Sequence, residues 1–314
     1  MSLRIIFMGT PDFAVPSLDL LLQNGYNVVG VITAPDKLGG RGGRQLLQSA
    51  VKKYAIDKAL PVLQPEKLKN PDFLETLRAL RADLQIVVAF RMLPEVVWAM
   101  PPRGTFNLHG SLLPRYRGAA PINWAIINGD TETGVTTFFL QQAIDTGDLI
   151  LQNRLPIGEN DTAGDVHDRM MLLGAQTVLQ TVQLIEQNRV QPQPQNDAEA
   201  SHAPKIFHET CTIRFDQPTQ KVHDFIRGLS PYPAAWTLLD GQELKLLKTT
   251  KLLTPHALAP GTFISDGKKT LRVATLDGFV QIHELQLQGR KRMDTIAFLN
   301  GYSMTPGSQI QKES

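Results

Sequence analysis

Apolar residues recur along the chain with two different periods. Leu3-Arg4-Ile5-Ile6-Phe7-Met8 is a short β-rich run, and Gly9-Thr10-Pro11-Asp12 after it has turn character. Phe13 to Asn24 then sets Ala14, Leu18, Leu21 and Leu22 at helical spacing and stops at Asn24-Gly25. A second buried strand is predicted at Val28 to Thr33, a helix at Gln48 to Lys58 and a brief strand at Val62-Leu63. Pro71 to Arg81 reads as a helix capped by Asn70. Leu84 to Phe90 is a third long strand, followed by strands at Thr105 to His109 and Gly134 to Gln141 and a long helix at Thr162 to Ile185. Strands alternating with amphipathic helices predict an α/β fold, a Rossmann-like and mostly parallel sheet with helices on both faces.

The pattern changes after that helix. Gln187 to Pro204 has three prolines, four glutamines and few apolar residues, the composition of a linker. Beyond it come one short helix, Pro218 to Arg227, and strands at Ala235 to Leu239, Leu244 to Thr249, Thr270 to Thr275 and Phe279 to Leu285. Asp240-Gly241 and Asp277-Gly278 are hairpin-type turns. A smaller OB-like β-barrel is expected. The predicted division is a Rossmann-like domain over 1–189, a linker over 190–207 and the barrel over 208–314.

Composition narrows the class. A 314-residue chain that is 42% hydrophobic has material for about two cores and is too aliphatic for disorder. No fixed-period repeat is present. No apolar run approaches the roughly 18 residues of a membrane span, and the N-terminus reads as a first strand rather than a signal peptide. A soluble, cytoplasmic protein is expected. The single cysteine, Cys211, excludes an internal disulfide framework and a multi-cysteine zinc site, and reads as a strand residue. The net charge of +2 does not by itself point to nucleic acid, although Lys205 to Ser314 carries fourteen Lys and Arg against ten Asp and Glu.

Three segments can carry chemistry. In a strand over Thr105 to His109, the side chains of Asn107 and His109 share one face. A carboxamide can donate to a developing oxyanion, and an imidazole can act as a base near neutral pH. On the pair alone, two polar groups satisfying a loop is the commoner reading. The next segment, Gly110 to Ile122, holds two glycines, two prolines and two arginines and suits a braced loop leaving a strand, where open α/β sheets bind ligands. Asp145, in Asp145-Thr146-Gly147-Asp148, either serves turn geometry or orients the imidazole. Lys37 to Arg44 adds four glycines and three cations (Lys37, Arg41, Arg44), which suits either a phosphate backbone or an exposed solubilising loop. Neither a P-loop nor a G-x-G-x-x-G is present, and the other six histidines lack metal-ligand spacing, so no metal is expected.

Asn107-Leu108-His109-Gly110-Ser111-Leu112-Leu113-Pro114, with Asp145-Thr146-Gly147-Asp148 downstream, resembles the folate-dependent formyltransferases. Gly9 to Ala14, the Gly-Arg-Gly loop around Arg41 and Arg117 to Ile122 are similar to the branch that formylates methionyl-initiator tRNA. The resemblance covers nearly the whole chain. It implies transfer of a formyl group from 10-formyltetrahydrofolate to the α-amine of methionyl-initiator tRNA, by a monomer without metal. It further implies Asn107, His109 and Asp145 as the catalytic trio, and Ser111, Leu112, Leu113, Pro114, Val88 and Phe90 against the folate. Lys37, Arg41 and Arg44 would meet the tRNA acceptor stem, and the barrel would contact the tRNA mainly through phosphates. One departure stands out: Phe90-Arg91-Met92 replaces the Tyr-Gly-containing pattern of the family's pterin loop. Amino-sugar nucleotide formyltransferases share the trio and the two-domain plan. The Gly9-to-Phe13 turn, the Gly-Arg loop and Asp148 weigh against them.

Overall fold

Arg4–Gly9 is buried at every position after Arg4, and this first apolar run lies inside a seven-stranded sheet. The structure, a computed structural model, describes residues 3–39 and 45–302. The sheet order is Leu149–Pro156, Glu132–Phe139, Thr105–His109, Leu84–Val88, Arg4–Gly9, Asn27–Ile32 and Val62–Leu63. From Thr105–His109 to Val62–Leu63 every pairing is parallel. Leu84–Val88 is buried throughout, as a strand covered on both faces must be. The helix Pro71–Ala79 begins where the sequence placed it: the Asn70 side chain accepts the peptide N–H groups of Asp72 and Phe73, with Pro71 in the first turn.

The expected sheet is mostly parallel, and Glu132–Phe139 is its exception, pairing antiparallel with Thr105–His109. Leu149–Pro156, which follows it at the sheet edge, was missed by periodicity. Its burial alternates weakly and its second half, Gln-Asn-Arg-Leu-Pro, suits an edge strand. The long helix Ala163–Glu186 covers the Leu108 face of the sheet. A Cβ at Gly174 would lie 2.7 Å from Leu108 Cδ2, and Thr181 and Thr137 share a 2.7 Å hydroxyl hydrogen bond. By strand alternation, Asn107 and His109 therefore face the other side.

The chain divides into two compact units. The first comprises the chain up to Gly118, Gly134–Leu155 and His167–His202; the second comprises Ala119–Thr133, Pro156–Val166 and the chain from Ala203 onward. In the second, Thr219–Leu229 is an amphipathic helix against an antiparallel half-barrel, the OB-like element. Its strand order is Ala235–Leu239, Gln242–Leu252, Phe279–Leu287, Leu271–Ala274 and Phe263–Ser265, with Met293–Asp294 added on Phe279–Leu287. Register shifts around Lys248 mark bulges, which bend a strand and help a sheet curl. Asp240 and Gly241 both have positive φ, as a two-residue hairpin turn requires.

Gly110 to Ile122 reads as irregular, but a helix starts at Pro121 and runs to Ile127. This short helix packs on Thr219–Leu229 at Gly228, where a Cβ would sit 2.6 Å from Ile127 Cγ1. Asn123 Nδ2 donates to Gly228 O at 2.7 Å in the same contact. Among the described residues no helix is long and apolar enough to cross a membrane.

Candidate active site

Asn107 and His109 are placed by sheet register. Asn107 lies between Val87 and Phe138, and His109 lies opposite Thr136. His109 is buried, and its Nε2 is 2.8 Å from the carbonyl oxygen of Tyr116. A carbonyl can only accept, so Nε2 carries the hydrogen and the neutral ring keeps its lone pair on Nδ1. Nδ1 faces Asp145 Oδ2 at 3.8 Å, too long for a direct hydrogen bond, and the carboxylate attracts the ring only when the ring carries a proton on Nδ1. Asn107 is half-buried, and no described residue hydrogen-bonds its carboxamide.

Asp145 arrives by an indirect route. Glu132–Phe139 runs antiparallel to Thr105–His109 and delivers the chain at the Thr105 end, where Leu140 N–H bonds Thr105 O at 2.8 Å. The following loop must run back past Asn107 to bring Asp145 to His109. Gly147 makes that return possible, because a Cβ there would sit 1.7 Å from Phe139 O. Asp145 itself has φ +54°, a left-handed conformation that a non-glycine residue holds only with outside support. Part of that support is the peptide N–H of Gly118, which donates to Asp145 Oδ2 at 2.9 Å.

The loop between the histidine and Gly118 is tied at nearly every residue. Ser111 Oγ donates to Arg115 O at 2.6 Å, and Thr136 Oγ1 donates to Ser111 O at 2.6 Å. Leu113 N–H donates to Thr136 Oγ1 at 3.1 Å, and Gln152 Nε2 donates to Leu113 O at 2.7 Å. Of the four residues expected against folate, Ser111 and Leu113 are buried and bonded within the loop, whereas Leu112 and Pro114 are half-buried. Val88 ends its strand buried, and Phe90 is half-buried two residues on. The departure at Arg91 has a local explanation. Its guanidinium donates to the carbonyls of Glu66 (2.8 Å) and Pro65 and lies over the Phe90 ring, so the cation is tied to the backbone.

Residues 190–202 lie along this loop instead of spanning open space. Ser201 Oγ accepts Tyr116 N–H at 2.9 Å, and Arg117 N–H donates to Ser201 O at 2.8 Å. Gln195 bonds the backbone of Asp145 and Gly147 and the side chain of Arg117. Sequence reasoning missed these residues, since a Gln- and Pro-rich stretch carries no periodic signal. Lys37 is exposed on Lys37–Gly39, which pairs antiparallel with Gln45–Leu47. Arg41 and Arg44 lie outside the described residues. A separate cavity of about 520 Å³ lies elsewhere on the first unit, among Leu77, Arg78, Arg81, Gln85 and Pro102, and contains none of the trio.

Known proteins share this architecture. The family profile described as formyl transferase matches residues 3–182, and that of the formyl transferase C-terminal domain matches residues 205–303. The chain is 57% identical over 318 residues to a methionyl-tRNA formyltransferase of Bacteroides fragilis, covering 98% of each chain. It is 50% identical over 313 residues to one of Flavobacterium johnsoniae, covering 98% of this chain and 99% of the other. Among solved structures, WlaRD, a sugar 3N-formyl transferase, superposes with TM-score 0.67 at 22% identity over 93% of this chain and 100% of its own. HypX from Aquifex aeolicus in complex with tetrahydrofolic acid gives TM-score 0.65 at 19% identity, covering 97% of this chain and 49% of its own. At such identities the two structures speak to the fold alone.

Proposed function

The chain belongs to the methionyl-tRNA formyltransferase family, and from that premise we propose how its residues carry the reaction. The enzyme transfers a formyl group from a folate donor to the amino group of methionyl-tRNA, for translation initiation. The donor is 10-formyltetrahydrofolate, whose N10-formyl carbon is the electrophile. The acceptor is the α-amine of methionyl-initiator tRNA, and the enzyme acts as a monomer in the cytoplasm.

The observation that carries the chemical reading is the polarity of the trio. An uncommitted carboxamide at Asn107 stands two residues from an imidazole whose Nε2 is engaged and whose Nδ1 faces a carboxylate. The amine nitrogen attacks the formyl carbon, and negative charge develops on the formyl oxygen. Asn107 donates to that oxygen. Nδ1 of His109 takes the proton from the attacking amine, and Asp145 stabilises the imidazolium. The proton then passes to N10 as its bond to carbon breaks, so one C–N bond forms, one breaks and the ring is restored. Placement and hydrogen bonding of this kind supply several kcal/mol in such sites.

Ser111, Leu112, Leu113, Pro114, Val88 and Phe90 line the folate side. Support for this reading comes from Leu112, Pro114 and Phe90, which are half-buried and offer apolar surface for a ring. Lys37, Arg41 and Arg44 bind the tRNA through phosphates, and the half-barrel contacts its outer side.

The test is single-turnover transfer from 10-formyltetrahydrofolate with three acceptors: methionyl-initiator tRNA, the uncharged tRNA and an amino-sugar nucleotide. Rapid formylation of the charged tRNA alone is expected. Transfer to the sugar, or release of formate with no transfer to tRNA, would overturn the acceptor assignment and leave the trio standing.

A further inference from the structure

Asp145 is held in an unfavourable backbone conformation by a side chain from a distant stretch of sequence. The Nε2 group of Gln195 donates to Asp145 O at 2.9 Å and to Gly147 O at 2.8 Å, which uses both of its hydrogens. Its Oε1 accepts from Arg117 Nε at 3.1 Å and from an Arg117 terminal nitrogen at 2.7 Å. A guanidinium only donates and a carbonyl only accepts, so the orientation of the Gln195 amide is fixed from both sides. Arg117 is fixed in turn through its peptide N–H on Ser201 O, and its side chain is 11% exposed. The next residue, Gly118, supplies the N–H that binds the Asp145 carboxylate.

We propose that Gln195 is a positioning residue that holds Asp145 at its working distance from His109, with Arg117 setting the direction of the Gln195 amide. The proposal rests on the catalytic reading of Asn107, His109 and Asp145. Its physical basis is the shape of the 141–147 loop. The carbonyls of Asp145 and Gly147 converge on one amide, and the hydroxyl of the residue between them, Thr146, donates within the turn to Ala143 O. Without the amide, two partly buried carbonyls lose their donor, and Asp145 keeps only the Gly118 N–H on its carboxylate as support for its positive φ. The backbone then relaxes toward ordinary φ and carries the carboxylate away from Nδ1. A displacement of about 1 Å in a catalytic group costs about a hundredfold in rate.

The experiment is a double-mutant cycle in the full-length protein, read as single-turnover rate and as kcat and KM for each substrate. Gln195→Met keeps the side-chain length and removes every donor. It is expected to lower the rate by about ten- to a hundredfold, with both KM values within about threefold of wild type. In an Asp145→Ala background the same substitution is expected to change the rate by less than about twofold, because its effect passes through Asp145. An unchanged rate in the single variant, or an equal loss in both backgrounds, overturns the positioning role. If Gln195→Met does not fold, Gln195→Asn replaces it in the same cycle, since its amide is one methylene too short to bridge both carbonyls. Near-normal turnover in Asp145→Ala alone would instead sink the catalytic reading itself, so the two failures are distinguishable.

Discussion

His109 and His223 are both buried histidines with an aspartate beside them, one in each unit. Around His223 the ring and its aspartate neighbour are both engaged. Its Nδ1 lies 3.0 Å from Thr249 Oγ1, and its neighbour Asp224 receives Arg227 Nε at 2.7 Å and Gln220 Nε2 at 2.8 Å. Arg227 also donates to the carbonyls of Gly158 and Asp161. Burial, with Arg227 nearby, pushes the His223 pKa down to about 4. Around His109 the wiring is incomplete: one ring nitrogen is engaged, the other faces a carboxylate across 3.8 Å, and Asn107 has no partner among the described residues. Similar residue types give a bonded clamp in one unit and, in the proposed reading, a reactive corner in the other. The Asn107 carboxamide is half-buried and has no partner among the described residues, so it can bond a ligand atom, as the proposed reading requires.

The comparison breaks most sharply at Asp224. Asp224→Ala leaves Arg227 buried without its counter-ion, and a loss of about 3–5 kcal/mol of stability is expected in chemical denaturation. Unchanged stability would mean the clamp is ornamental. The opposite profile is expected at the reactive corner. Asn107→Ala and His109→Ala should each lower kcat by about a hundredfold or more, with the fold retained by circular dichroism. Near-normal kcat in both would remove the distinction between the two corners.

A smaller effect separates them by pH. The folded protein protonates His223 less readily than the unfolded chain does, so between pH 6.5 and about 4 the unfolded state binds more protons. This contribution to stability is complete above pH 6.5 and is lost as pH falls toward 4, by about 3 kcal/mol at most. His223→Gln should flatten the dependence of the denaturation midpoint over that window; an unaltered slope would assign the acid sensitivity elsewhere. The smallest expected effect lies at neither corner. Arg41→Ala should reduce kcat/KM for tRNA by about tenfold, or about 1.4 kcal/mol, with folate binding intact. Weakened folate binding instead would show that the Gly-Arg loop has been assigned to the wrong ligand.

Periodicity alone made much of the architecture legible. The strands at Arg4, Leu84 and Thr105, the Asn70 cap and the Asp240-Gly241 turn each depend on residues close in sequence. What was not legible depends on contacts between distant segments. Asn107 and His109 could be placed on one strand face from spacing, but the direction of the imidazole needed the Tyr116 carbonyl. Asp145 could be named as a candidate, but its return path needed an antiparallel strand and the close approach of Gly147 to Phe139. Gln195 offered no sequence signal, because its role depends on two carbonyls 48 and 50 residues away. The helix Pro121–Ile127 was hidden by its glycine- and proline-rich surroundings and is packed by Thr219–Leu229.

The central claim is that Nδ1 of His109 is the nitrogen that handles the proton. Nitrogen-15 NMR of the histidine-labelled enzyme, with His109 assigned by its Ala variant, reads the tautomer of the neutral ring directly. The account predicts a protonated Nε2 bonded to the Tyr116 carbonyl and an unprotonated Nδ1. A neutral ring carrying its hydrogen on Nδ1 would contradict it, because the nitrogen facing Asp145 would then have no lone pair to accept the proton of the attacking amine.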